Sequence, residues 1–130
     1  MTKINFDSNA NVNVIVVDVY IENKEKQKKI RMALDTGATY IMIPWEVSES
    51  LGLEPEISKE RIETITASGV EKVPLVELPL IRVGKTEVKS AKAMVHDLPA
   101  KSYVDGLLGL NFLRNFELYI NFKGGYFEIK

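Results

Sequence analysis

The chain has 130 residues, 45% of them hydrophobic and 27% charged, with 17 Lys and Arg against 18 Asp and Glu for a net charge of −1. That length suits one domain, residues 1–130, burying roughly two-thirds of its unfolded surface, and the composition excludes a disordered chain. No cation excess exists to displace counterions from phosphates, and no apolar run approaches the roughly 20 residues that span a bilayer, so neither nucleic acid nor membrane is an expected partner.

Ile and Val supply 25 of the 130 residues. They fall in short runs rather than at helical spacing, which is the pattern of half-buried or buried strands. Val12 to Ile21 reads as a strand with partial alternation. Asn23 to Lys29 is a charged, solvated tip without a function of its own. Ile30 to Leu34 resumes the strand, completing a long hairpin. Ile41 to Pro44 is a short apolar segment. A short helix then begins at Pro44-Trp45-Glu46-Val47, with Pro in the first turn, Glu46 at the positive end and Gly52 as its stop. Ile62 to Thr66, Val70 to Leu75 and Leu78 to Val83 read as strands, with a turn at Ser68-Gly69 and with Pro74 and Pro79 restricting the ladders. Gly84-Lys85 turns the chain into Glu87 to Val95. Glu117 to Phe122 and Tyr126 to Ile129 form a hairpin about Gly124-Gly125.

Cysteine is absent and His96 is the one histidine. Disulfides, thiolate metal sites, cysteine nucleophiles and a multi-histidine metal site within one chain are thereby excluded. Met1 to Asn11 lacks the basic-then-apolar layout of a signal peptide, so a cytoplasmic location is expected. The remaining chemistry lies with carboxylates in apolar settings, and Asp35 stands out. Met32-Ala33-Leu34 precede it, Thr36-Gly37-Ala38-Thr39 follow, and Ile41-Met42-Ile43 close the segment. An acid there is costly to desolvate without compensation. A structural reading stands beside the functional one: an Asx-type turn in which the carboxylate accepts from the backbone two residues on.

Leu34-Asp35-Thr36-Gly37-Ala38 resembles the active-site motif of aspartic proteases, an apolar residue followed by Asp-Thr-Gly-Ala or Asp-Thr-Gly-Ser. Gly106-Leu107-Leu108-Gly109-Leu110-Asn111-Phe112-Leu113 resembles the apolar-apolar-Gly segment and short helix near the carboxyl end of the retroviral-type enzymes. Between them, Thr66-Ala67-Ser68-Gly69-Val70 falls where that family has its flap hairpin. Over about residues 12–130 the chain therefore resembles the retropepsin-like, single-domain aspartic proteases. The fold this implies is all-β: a closed acid-protease-like barrel with one or two short helices, forming a two-fold symmetric homodimer.

Hydrolysis by carboxylates needs two of them close together, one protonated and one ionised. One chain offers one such motif: Asp97 lies in a loop, and Asp105 lacks the Thr-Gly that would build a matching turn. A homodimer supplies the second copy, because a two-fold axis between two Asp35 residues makes a symmetric pair. The resemblance implies an aspartic endopeptidase acting on an extended peptide without cofactor or metal, with Asp35 as catalytic residue. Thr36 would bond across the dimer axis, Gly37 would leave room for substrate, and Ala38 would lie beside the site. Ala67, Ser68 and Gly69 would form the flap tip, and Leu108 and Gly109 would be structural residues near the site. Retroviral enzymes carry an acid after the triplet and an arginine after the later glycine; here those places read Thr39-Tyr40 and Leu110.

His96 beside Asp97 lacks a serine or cysteine partner and reads as a surface-loop histidine. Trp45 reads as a core anchor, and Phe112, Leu113 and Phe116, at helical spacing, as core. Tyr119, Tyr126 and Phe127 belong either to the core or to a dimer interface. Two rival functions remain open: a non-catalytic dimerisation or peptide-binding module on the same fold, and an unrelated β-barrel in which the Asp35 turn is structural.

Overall fold

The computed structural model describes residues 2–6 and 14–130. The first strand of the barrel, β2 (Val16–Asn23), owes its form to alternation: Val17, Val19 and Ile21 are fully buried while Asp18 faces solvent. Each such side chain contributes about 1.5–3 kcal/mol on leaving water. It pairs along its whole length with β3 (Lys26–Leu34). The charged tip is thus shorter than the sequence suggests. Only Lys24 and Glu25 turn the chain, with Lys24 at a φ of 57°. Asn23 is tied down as well, its amide donating to the Leu51 carbonyl at 2.7 Å. Val12 and Asn13, the predicted start of β2, lie outside the described residues.

Next come β4 (Ile41–Ile43), all three residues buried, and the helix α1 (Trp45–Ser50). Pro44 stands one residue ahead of α1 rather than in its first turn, and Gly52, at a φ of 72°, follows its end. A 3₁₀ turn at Pro55–Ile57 leads into β5 (Arg61–Thr66) and β6 (Gly69–Val83). The two strands predicted over Val70–Val83 are one strand of 15 residues. Neither proline breaks it. Pro74 lies opposite Arg61 of β5, and the ladder to β7 (Thr86–Val95) skips Pro79 and its opposite number Ser90. Ser90 has a φ of 57°, so the two strands part locally where proline has no N–H to offer.

The remaining elements are β8 (Gly106–Leu108), α2 (Leu110–Leu113), β9 (Leu118–Asn121) and β10 (Tyr126–Ile129). Six strands close a barrel in the order β2-β3-β8-β4-β7-β6, with β6 returning to β2 through Tyr20↔Arg82, Ile21↔Ile81 and Glu22↔Leu80. β5 pairs only with the first half of β6, so the two extend as a hairpin. A second sheet has the order β1-β10-β9, where β1 (Thr2–Asn5) is a strand the polar amino terminus did not suggest. Phe112, Phe127 and Ile129 are fully buried in the core, with Leu113 buried and Trp45 and Phe116 packed against it. Of the aromatics left open, Phe127 is core, whereas Tyr119 is 55% exposed on the outer side of the second sheet. Among the described residues no helix is long and apolar enough to cross a membrane.

Two parallel pairings position the site. β3 runs parallel to β8 with Leu34 opposite Leu108, and β4 runs parallel to β7 with Ile41 opposite Ala93. Asp35 and Gly109 therefore leave the sheet side by side.

Candidate active site

Asp35 is the first residue past β3, and its N–H donates to the Leu108 carbonyl at 3.1 Å. Its carboxylate Oδ1 accepts from the Gly37 N–H at 2.9 Å, and its own carbonyl accepts from the Ala38 N–H at 3.3 Å. The Asx-type contact foreseen as a structural alternative is therefore present. It also aims the carboxylate, because the loop folds back on the acid that begins it. A Cβ on Gly37 would stand 3.2 Å from Asp35 Oδ1, a crowded approach that glycine avoids.

Behind this loop lies the segment at Gly109. Leu110 N–H donates to the Ala38 carbonyl at 2.8 Å, and Asn111 N–H donates to the Thr39 carbonyl at 3.1 Å. A Cβ on Gly109 would overlap the Tyr40 carbonyl and reach within 2.9 Å of the Ala38 oxygen. Its φ of −91° and ψ of −174° suit any residue, so close approach rather than conformation demands glycine here. Leu108, one residue before it, is buried.

A cleft of about 1100 Å³ opens between the Asp35 loop and the β5–β6 hairpin. Asp35, Gly37, Ala38, Ala67 and Ser68 line it, so the structure gathers residues 30 positions apart in sequence into one groove. Thr36 and Gly69 are exposed and lie outside its wall. At the hairpin tip Thr66 Oγ1 accepts from the Ser68 N–H and donates to the Gly69 carbonyl, each at 3.2 Å. The turn residues are Ala67 and Ser68, one position earlier than predicted, with Gly69 at a φ of 113° opening β6.

Several cleft residues carried no local signal in the sequence. Met42, Met94 and Leu107 form an apolar floor, and Ile65 and Val70 face each other across the hairpin. His96 is the first residue past β7. Its N–H donates to the Ile43 carbonyl at 3.0 Å, prolonging the β4–β7 ladder, and its half-buried ring lines the cleft with Nδ1 4.0 Å from Glu71 Oε2. Asp97 also lines the cleft, and its Oδ1 accepts from the Trp45 N–H at 3.0 Å at the start of α1. Asp105 is outside the cleft, its N–H bonded to the Arg31 carbonyl at 2.8 Å.

A closed barrel with an Asp-Thr-Gly loop at the mouth of a cleft, roofed by a hairpin, defines a retropepsin-like aspartic protease fold. A family model described as aspartyl protease matches residues 10–112, and the chain belongs to that family. Among curated proteins, an uncharacterized protein in the cobV 5′ region of a Sinorhizobium species is 34% identical over 92 residues, covering 70% of this chain. The match covers 38% of that relative, so the chain spans well under half its length. Among solved structures, a retropepsin-like aspartic protease from Rickettsia conorii superposes with a TM-score of 0.74 at 22% identity, over 98% of this chain and 89% of that one. The retroviral protease-like domain of Ddi1 from Leishmania major gives a TM-score of 0.60 at 15% identity, over 91% of this chain and 89% of that one. At these identities the likeness to the two structures is one of fold.

Proposed function

We propose that the chain is an aspartic endopeptidase whose active unit is a homodimer with one Asp35 from each subunit. The observation that carries this reading is the Asp35 carboxylate itself, held by the Gly37 N–H at the mouth of a cleft roofed by a hairpin. One carboxylate cannot serve as base and acid at the same moment. A second copy of the same loop, related by a two-fold axis, provides the partner.

In this reading an extended peptide lies in the cleft, its main chain paired to the hairpin and its side chains in alternate pockets. One Asp35 carboxylate takes a proton from a bound water, whose oxygen attacks the scissile carbonyl carbon. The protonated Asp35 of the other subunit donates to the carbonyl oxygen. Collapse of the tetrahedral species breaks the C–N bond: the departing amine takes the proton that the first carboxylate removed from water, and a hydroxyl of the tetrahedral species returns its proton to the second carboxylate as the carbonyl re-forms. In this reading Thr36, which is exposed, bonds across the axis. Ala67, Ser68 and Gly69 act as a flap whose closure excludes water.

Asp35→Asn tests this directly. The variant keeps an oxygen to accept from Gly37 N–H, so fold and dimer persist while the base is lost. Hydrolysis of fluorescently quenched casein falls by about 10²–10⁴-fold or more. Unchanged hydrolysis would remove Asp35 from catalysis. Peptide binding without cleavage by the wild type, from acidic to neutral pH, would support the peptide-binding module instead.

A further inference from the structure

Beside the Asp35 loop, one side chain joins three segments. Asn111 Oδ1 accepts from the Ile41 N–H at 2.8 Å, while its Nδ2 donates to the Lys92 carbonyl at 2.6 Å. Its own N–H holds the Thr39 carbonyl at 3.1 Å. The carboxamide thus stands like a peptide unit between β4 and β7, at the end where their parallel ladder begins with Ile41↔Ala93. Asparagine fits this place because one short side chain carries a donor and an acceptor with fixed relative geometry. The orientation of the amide is set by its partners, an N–H on one side and a carbonyl on the other.

The consequence reaches the carboxylate. From Ala38 to Ile41, the Ala38 and Thr39 carbonyls and the Ile41 N–H are all held by residues 110 and 111. The Ala38 N–H in turn holds the Asp35 carbonyl, and the Gly37 N–H holds its carboxylate. The loop is anchored behind the acid and not in front of it, where the cleft lies open.

We infer that Asn111 is a positioning residue, fixing the Ala38–Ile41 backbone so that Asp35 stays in line with its partner across the dimer axis. This rests on Asp35 being the catalytic acid. A loop displaced by about 1 Å typically loses on the order of 100-fold in rate. Asn111→Ala removes both side-chain bonds. Asn111→Asp is isosteric and separates them: its carboxyl bridges both partners only when protonated, and when ionised it faces the Lys92 carbonyl with a second acceptor.

The experiment measures kcat and KM for casein hydrolysis by wild type and both variants from about pH 3 to 7, with amide exchange at Ile41. Asn111→Ala is expected to lower kcat by about 10- to 100-fold with KM changed less than about twofold, and to speed exchange at Ile41. The kcat of Asn111→Asp relative to wild type is expected to be near unity at the acid end and to fall as pH rises through the carboxylate range near ~4. A flat ratio, or an Asn111→Ala kcat equal to wild type, overturns the proposal. No cleavage by wild type would remove the catalytic reading and this one with it; cleavage by wild type and equally by Asn111→Ala would remove this one alone.

Discussion

Replacing Gly109 by alanine adds one methyl group at the tightest contact behind the site. The backbone there accepts any residue, and at a tolerant position the exchange would stabilise by about 0.4–1 kcal/mol through the unfolded chain. Sterics oppose this. The new Cβ would overlap the Tyr40 carbonyl and crowd the Ala38 oxygen at 2.9 Å, and backbone atoms cannot rotate aside as a side chain would. Overpacking of this kind costs about 1–3 kcal/mol. The Ala38 oxygen is also the acceptor for Leu110 N–H, so moving it loosens that bond and its neighbour from Asn111 N–H to Thr39, at about 1 kcal/mol each. The steric cost wins, with a net loss of about 2–4 kcal/mol. For a chain of this size that lowers the Tm by roughly 8–16 °C, taking about 4 °C per kcal/mol. The assay is thermal unfolding of both proteins at one concentration, since the proposed dimer would make the Tm concentration-dependent. A Gly109→Ala variant as stable as wild type, or more so, would refute the claim that close packing against residues 38–40 dictates glycine here.

Other expectations follow from the same geometry. Ile65 and Val70 at the hairpin tip are 85% and 68% exposed, so replacing both with serine should change stability by no more than about 0.5 kcal/mol each. If the tip closes on substrate, the same double variant raises KM several-fold; an unchanged KM would mean that the tip does not touch the peptide. Lys92 is raised above its ordinary pKa of 10.5 by its hydrogen bond to Glu60, aided by charge and opposed by desolvation. A raised cation stabilises the fold fully below pH 10.5 and loses that contribution as pH rises through the folded value. The effect of Glu60→Gln on Tm should therefore be small, weaken with salt and vanish in strong alkali, and a difference that persists there would contradict the pairing.

What the sequence made legible was local. The Asp35 loop announces itself because acid, hydroxyl and glycine act within three residues. The hairpin tip does so because Ser68-Gly69 carries turn chemistry, although the tip sits one residue earlier. Strands such as β2 and β7 alternate along enough length to be read. What escaped depends on distant partners. β8 has three residues and no period, and its place is set by parallel pairing with β3 from 74 positions away, Met32 opposite Gly106. β1 looks polar because Lys3 and Asn5 face outward, yet Thr2 is buried and Ile4 packs on the core. His96 follows a strand whose register with β4 brings it to the cleft. Asn111 bonds to Ile41 and Lys92 at separations of 70 and 19 residues, which no local pattern announces.

The central claim is that one chain holds half an active site. A crystal structure of the protein at its solution stoichiometry measures it most directly, through the separation of the two Asp35 carboxylates. The account predicts a two-fold dimer with these oxygens within hydrogen-bonding reach, about 2.6–3.2 Å. A monomer in sedimentation, or a dimer whose Asp35 residues face away from each other, would contradict it.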